Sequence, residues 1–235
     1  MRRLLSFLWL LGCGLSLFSC KQHDGIEFGF HEPQSVANIM ETVPEDLVEA
    51  FGEEYFYFGP NPPDMSDISF KVEGLQYVKA IRFVFGPDGN PMPSQAEMPP
   101  MDMTRYLHHF YDADGGFSGH RLKTIDPSNN QFLRQNDTVF VIGNGQNFTA
   151  YYIDSIQEYS SGNPVNAVIV SGVIQRDTLG QFLGIDHYRI GKKILRYGHQ
   201  PAIPSYAQGT IEVKTHDGLC AAFDWDTEHH PSNPQ

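Results

Sequence analysis

The chain has 235 residues, with 16 Lys and Arg against 28 Asp and Glu, a formal net charge of −12 at pH 7. Such a chain is repelled by phosphate backbones, whose binding needs Lys and Arg to displace counterions; it has no basic stripe, so nucleic acid is excluded as a partner. A hydrophobic fraction of 40% can build a core, and the length suits one large β domain or two small ones.

The chain opens with Met1-Arg2-Arg3 and an apolar run over residues 4–18, interrupted by Ser6, Gly12, Gly14 and Ser16. A membrane-crossing helix needs ~20 apolar residues. This run is shorter and helix-weakened, so residues 1–19 read as a signal peptide. Leu17-Phe18-Ser19-Cys20 resembles the bacterial lipobox, although the bulky Phe18 is a looser fit. The resemblance implies cleavage before Cys20 and acylation of its thiol; the plainer alternative is an ordinary secretory signal with a coincidental cysteine. Two or three acyl chains on Cys20 anchor stably where one gives marginal binding. Cleavage takes Arg2 and Arg3 from the 16 basic residues, leaving 14 against 28 acidic ones and a charge of −14.

Residues 20–33 read as a lipid-anchored tether, although Ile26, Phe28 and Phe30 alternate as an edge strand would. Val36, Ile39, Met40 and Val43, then Leu47, Val48 and Phe51, recur at helical spacing. Thr42 with Glu45 makes a capping box, Pro44 suits a first turn and Gly52 a stop. One or two short helices are therefore expected between residues 34 and 51.

From residue 55 the period becomes alternating. Strands are expected over residues 68–72, 75–85 (apolar on both faces, hence buried), 105–111, 117–125, 138–142, 148–156, 165–174, 182–190, 210–214 and 219–225. Residues 86–103 read as a long loop with five prolines, and residues 126–136 as a second loop. Asn144-Gly145, residues 161–164 and residues 177–180 are hairpin signals. The tail, 226–235, is polar and reads as frayed. About ten short strands with few helices predict one antiparallel all-β domain over residues 34–225. It would be an up-and-down, lipocalin-like barrel or a two-sheet sandwich.

Motifs with catalytic spacing are missing from this sequence. Gly143-Asn144-Gly145 follows a strand, but Phe148 stands where a third glycine would be and a strand follows where a dinucleotide site needs a helix. Asp112-Ala113-Asp114 opens like a calcium loop, yet Phe117 and Lys123 stand where Gly and Glu are required. His108 and His109 are adjacent in a strand and point to opposite faces, and no His-x-His or His-Glu-x-x-His run occurs. No catalytic residue, metal or cofactor is assigned, and the acids are read as turn and solvent-facing charge. Cys13 leaves with the signal and Cys20 is acylated, so Cys220 has no disulfide partner and reads as a small buried hydrophobe.

Three tripeptides, beginning at Asp137, Asp154 and Asp177, match an Asp-Ser/Thr-apolar pattern that resembles the O-glycosylation signal of Bacteroides-type envelope proteins. The resemblance points to Thr138, Ser155 and Thr178, against a strong background from ordinary strand alternation. Residues 43–54, 68–74, 147–152 and 169–172 resemble uncharacterised Bacteroides-type cell-envelope lipoproteins, across most of residues 40–190. The resemblance implies an outer-membrane, lipid-anchored protein, periplasmic or surface-exposed. Lys21-Gln22-His23-Asp24 carries one acid, a degenerate surface-export signal, and position 21 is not the aspartate of inner-membrane retention.

The expectation is a noncatalytic lipoprotein binding a small apolar ligand or glycan, with Tyr106, Tyr151, Tyr152 and Tyr188 as cavity-lining candidates. The alternatives are a closed β domain making protein contacts in an envelope complex and, more distantly, a glycan-acting enzyme.

Overall fold

The computed structural model describes residues 42–93, 106–112, 120–126, 131–155, 165–196 and 207–224, within the compact unit Pro33–Gln235. Cys20, the tether with its alternating stretch, and the tail lie outside these residues.

The helical period yields α1 (Glu45–Phe51), which buries Leu47, Ala50 and Phe51 on one stripe. Gly52 ends it at φ +93°, donating its N–H to the Val48 carbonyl at 3.0 Å. The expected capping box does not form. Pro44 occupies the cap position without a side-chain bond, its carbonyl accepting from Leu47 and Val48, while Glu45 and Asp46 face the positive helix end. A single 3-10 turn, Glu53–Tyr55, follows.

The alternating region forms β1 (Pro60–Asn61), β2 (Ile68–Val72), β3 (Gln76–Ile81), β4 (Phe83–Phe85), β5 (Pro91–Pro93), β6 (Tyr106–Asp112) and β7 (His120–Asp126). It continues with β8 (Gln131–Asn144), β9 (Asn147–Ser155), β10 (Val165–Arg176), β11 (Phe182–Arg196), β12 (Ile211–Thr215) and β13 (Cys220–Ala221). The main sheet runs β2-β6-β7-β8-β9-β10-β11-β12-β3, with β13 beside β11 and β1 beside β8; β4 and β5 form a separate hairpin.

The meander from β6 to β12 is antiparallel throughout, as the hairpin signals require. It does not close into a barrel. β8 pairs with β7 through its first part and with β9 through Phe140–Asn144, so it turns the corner between two halves. Those halves then face each other: the Phe70 ring on β2 lies 5.7 Å from that of Tyr188 on β11, and Phe110 on β6 lies 6.2 Å from Phe148 on β9. The all-β, sandwich-like class is what results.

Several strand limits differ from expectation for physical reasons. Residues 75–85 are not a buried strand. β3 ends the sheet, with Val78 and Ile81 exposed, a register shift where it meets β12, and a break at Arg82. Part of the proline-rich loop is strand, because Pro91–Pro93 reaches back to Phe83–Phe85 across the Gly86–Asn90 turn. Residues 131–136, expected as loop, belong to β8, because their backbone pairs with β7. The β8–β9 turn is centred on Gly145-Gln146, one residue beyond the Asn-Gly signal, with Gly145 at φ +68°. Beyond Ala221 pairing shrinks to one bridge between Ala222 and Phe70.

Two apolar clusters lie on opposite faces. Phe70, Phe110, Phe148, Val168, Val170 and Tyr188 belong to the first, whose face is called inner below. Leu47, Phe51, Tyr151, Ala167, Ile169 and Val213 belong to the second, under α1 on the outer face. β10 is therefore buried on both sides. Gly191 allows the helix its close approach, because a Cβ there would come within 2.7 Å of Phe51 Cδ2.

Candidate functional site

Residues opposite one another in an antiparallel ladder share a face, and so do residues two apart along a strand. Tyr152, Val168, Lys192, Glu212 and Ala80 are successive partners across β9, β10, β11, β12 and β3. Tyr152 and Val168 are in the inner cluster, so Lys192 and Glu212 face inward with them. The row ending in Lys214 and Tyr77 runs beside it, through Val170 and Ile190. A further row on the same face joins Asp154, Asn166 and Ile194.

The result is a band of charged and amide side chains at one end of the inner face. Arg82 Nε donates to Glu212 Oε1 at 2.9 Å, and the pair's side chains are only 9% and 12% exposed. Lys214 Nζ lies 4.0 Å from the other Glu212 oxygen and 4.6 Å from the Tyr77 ring centroid. The Arg82 guanidinium carbon is 5.3 Å from the same ring. Two cations thus share one carboxylate and one aromatic ring. Asp154 and Asn166 are each 1% exposed, and neither polar atom of the Asn166 amide has a hydrogen-bond partner. A buried amide without partners costs roughly 1–3 kcal/mol, so this position is held at a stability loss.

The opposite end of the inner face is packed by aromatics. Tyr188 shares a 3.3 Å hydrogen bond with His108 Nε2 and stacks near it, with Phe70 against both. Full burial, with Tyr152, Cys220 and Tyr106 nearby, holds the Tyr188 phenol well above its ordinary pKa. Cys220 is 1% exposed in this cluster and its thiol is pushed up to about 12 by burial, as a small buried hydrophobe requires.

The four tyrosines named as cavity-lining candidates divide between faces. Tyr152 and Tyr188 belong to the inner cluster and Tyr106 packs against it. Tyr151 faces outward, as its neighbour's alternation demands, and donates its hydroxyl to the Thr42 carbonyl at 3.5 Å. His108 and His109 do diverge: His108 is buried inward, and His109 Nδ1 lies 2.8 Å from Ser69 Oγ. Among the described residues no three His, Cys, Asp or Glu side chains gather as a metal site.

Of the glycosylation candidates, Thr138 is exposed on β8 and Thr178 is exposed in the β10–β11 turn, while the side chain of Ser155 lies outside the described residues. Reading the acids as solvent-facing fails at Asp154 and Glu212. Nothing in hydrophobic period separates a charge buried in such a row from one facing water; only the cross-strand register brings Asp154, Asn166, Lys192 and Glu212 together. A signal was nonetheless present in polar residues interrupting strands apolar on both faces. No protein-family model, curated protein or solved structure matches the chain.

Proposed function

We propose that the protein is a lipid-anchored envelope lipoprotein, noncatalytic and held at the outer membrane through Cys20. Its β domain binds a small glycan-like ligand at the charged end of the inner face. The observation that carries this reading is Asn166, an amide 1% exposed with both polar atoms unpartnered, in a row with Asp154 and beside Lys192 and Glu212. Hydroxyl-rich ligands offer the donors and acceptors such an amide lacks, and Tyr152 lies on the same face in the next row. A small apolar ligand is less well supported, because the apolar end is filled by Phe70, Phe110, Phe148 and Tyr188.

Native mass spectrometry and a glycan array on the purified chain test it. Saturable binding that Asn166→Leu abolishes without loss of fold supports the reading. Absence of binding in a folded chain would leave the second reading, favoured by the filled aromatic end: a closed domain that makes protein contacts in an envelope complex.

Surface modification is a separate proposal. Thr178 is the best-presented candidate, since it is exposed in a tight turn whose Asp177 carboxylate accepts from the Leu179 and Gln181 N–H groups, each at 2.8 Å. A mass decrease on chemical deglycosylation, absent in Thr178→Ala, is the expected outcome for protein from its native host.

A further inference from the structure

The outer face carries a second polar row, beyond the reach of the first. Thr149, Ser171, Arg189 and Thr215 are successive cross-strand partners on β9, β10, β11 and β12. Thr149 and Ser171 are fully buried and Arg189 is 7% exposed. Thr215 Oγ1 donates to the Tyr188 carbonyl, but Thr149 Oγ1, Ser171 Oγ and Arg189 Nε have no partner. Above the guanidinium sit two rings: its carbon lies 4.2 Å from the Tyr55 centroid and 5.5 Å from that of Phe51.

This arrangement is costly as it stands. Guanidinium stays charged in proteins, and burying its Nε without a partner leaves a desolvation penalty that no anion offsets. Burial draws the Arg189 pKa down, while Tyr55 and Glu54 act in the opposite sense. Glu54 is nevertheless exposed and makes no ion pair with Arg189 among the described residues. The Tyr55 and Phe51 rings lie against the guanidinium, and the two hydroxyls lie along the same row. Arg189 and, on its β10 side, Ser171 and then Thr149 bring N–H and O–H donors into one row, the chemistry that suits an oxyanion. One cation, in a chain of net charge −12, matches a single negative charge better than a dianion.

We infer that Arg189, with Ser171 and Thr149, forms a binding site for the carboxylate of a small ligand, under the lid made by Phe51 and Tyr55. It is independent of the inner-face reading, since the two rows lie on opposite sides of the sheet.

Isothermal titration of the full chain in detergent with benzoate, and in parallel with inorganic phosphate, tests the assignment. Saturable benzoate binding is expected, weakened about tenfold or more in Arg189→Gln, a loss of ~1.4 kcal/mol. The milder Ser171→Ala, which keeps the sheet's volume nearly unchanged, should weaken it by a smaller factor. Phosphate is expected to bind more weakly than benzoate; phosphate binding more tightly would overturn the carboxylate assignment. No benzoate binding, or binding equal in Arg189→Gln and Ser171→Ala to the parent chain, would overturn the site itself. If Arg189→Gln does not fold, Ser171→Ala and Thr149→Val carry the test.

Discussion

Strands β9, β10 and β11 carry large aromatics or apolar groups on the inner face at one end and charged or amide side chains at the other. At the first end Phe148, Ile185 and Tyr188 are fully buried and meet Phe70 and Phe110 from the facing half. At the second, Asp154, Asn166 and Lys192 lie beside Glu212, Arg82 and Lys214. Both ends are antiparallel ladder, so strand direction does not distinguish them. The difference teaches that burial serves two purposes along one strand: mutual packing at one end, and at the other a set of groups that proteins seldom bury without a use for them.

Breaking the packed end should cost most. Phe148→Ala is expected to lower stability by about 3–5 kcal/mol in chemical denaturation, because a fully buried ring is replaced by a cavity. At the charged end, Glu212→Ala should cost about 3 kcal/mol. It leaves Arg82 and Lys214 without their carboxylate, and a double change that also replaces Arg82 with Met should recover part of that loss.

The pH response sharpens the same contrast. Burial raises the folded-state pKa of Cys220 and of Tyr151 to about 12, above the about 8.5 and about 10 of the unfolded thiol and phenol. Their contributions are complete below those unfolded values and are lost as pH climbs towards about 12. Urea midpoints measured across that range should fall, and Cys220→Ala should flatten the thiol's part of the fall.

Asn166→Leu is expected to raise the stability of the unliganded chain by about 1 kcal/mol, by removing an unsatisfied buried amide. A loss of stability instead would show that the amide is satisfied in solution. Smallest of all, Asp46→Asn should change stability by about 0.5 kcal/mol or less. Lys193 reaches both Asp46 oxygens at 2.6 Å, but that carboxylate is 54% exposed.

How much of this was legible beforehand follows from what each residue's partner is. α1, the stop at Gly52 and the run of strands depend on neighbours a few residues away, so period and turn chemistry reveal them. The burial of Cys220 and the divergence of His108 from His109 follow from alternation in one strand. Arg82 and Glu212 are 130 residues apart, and their pairing depends on which strand lies beside which. The same holds for Arg189 beneath Tyr55, whose cover comes from a turn before the first long strand. The breadth of β8 follows from its pairing with β7, a partner that its own local pattern does not reveal.

β2 and β3 are separated by only Glu73, Gly74 and Leu75, yet they occupy opposite ends of the strand order. Adjacent in the chain, they wait for different companions. β2 can pair once β6 is made, whereas β3 has no partner until the much later Ile211–Thr215 has been made. Loop closure over that distance is slow, and a naked strand edge is a template for other chains. Joining β3 to β12 is therefore expected to be the late and slow step in forming this sheet.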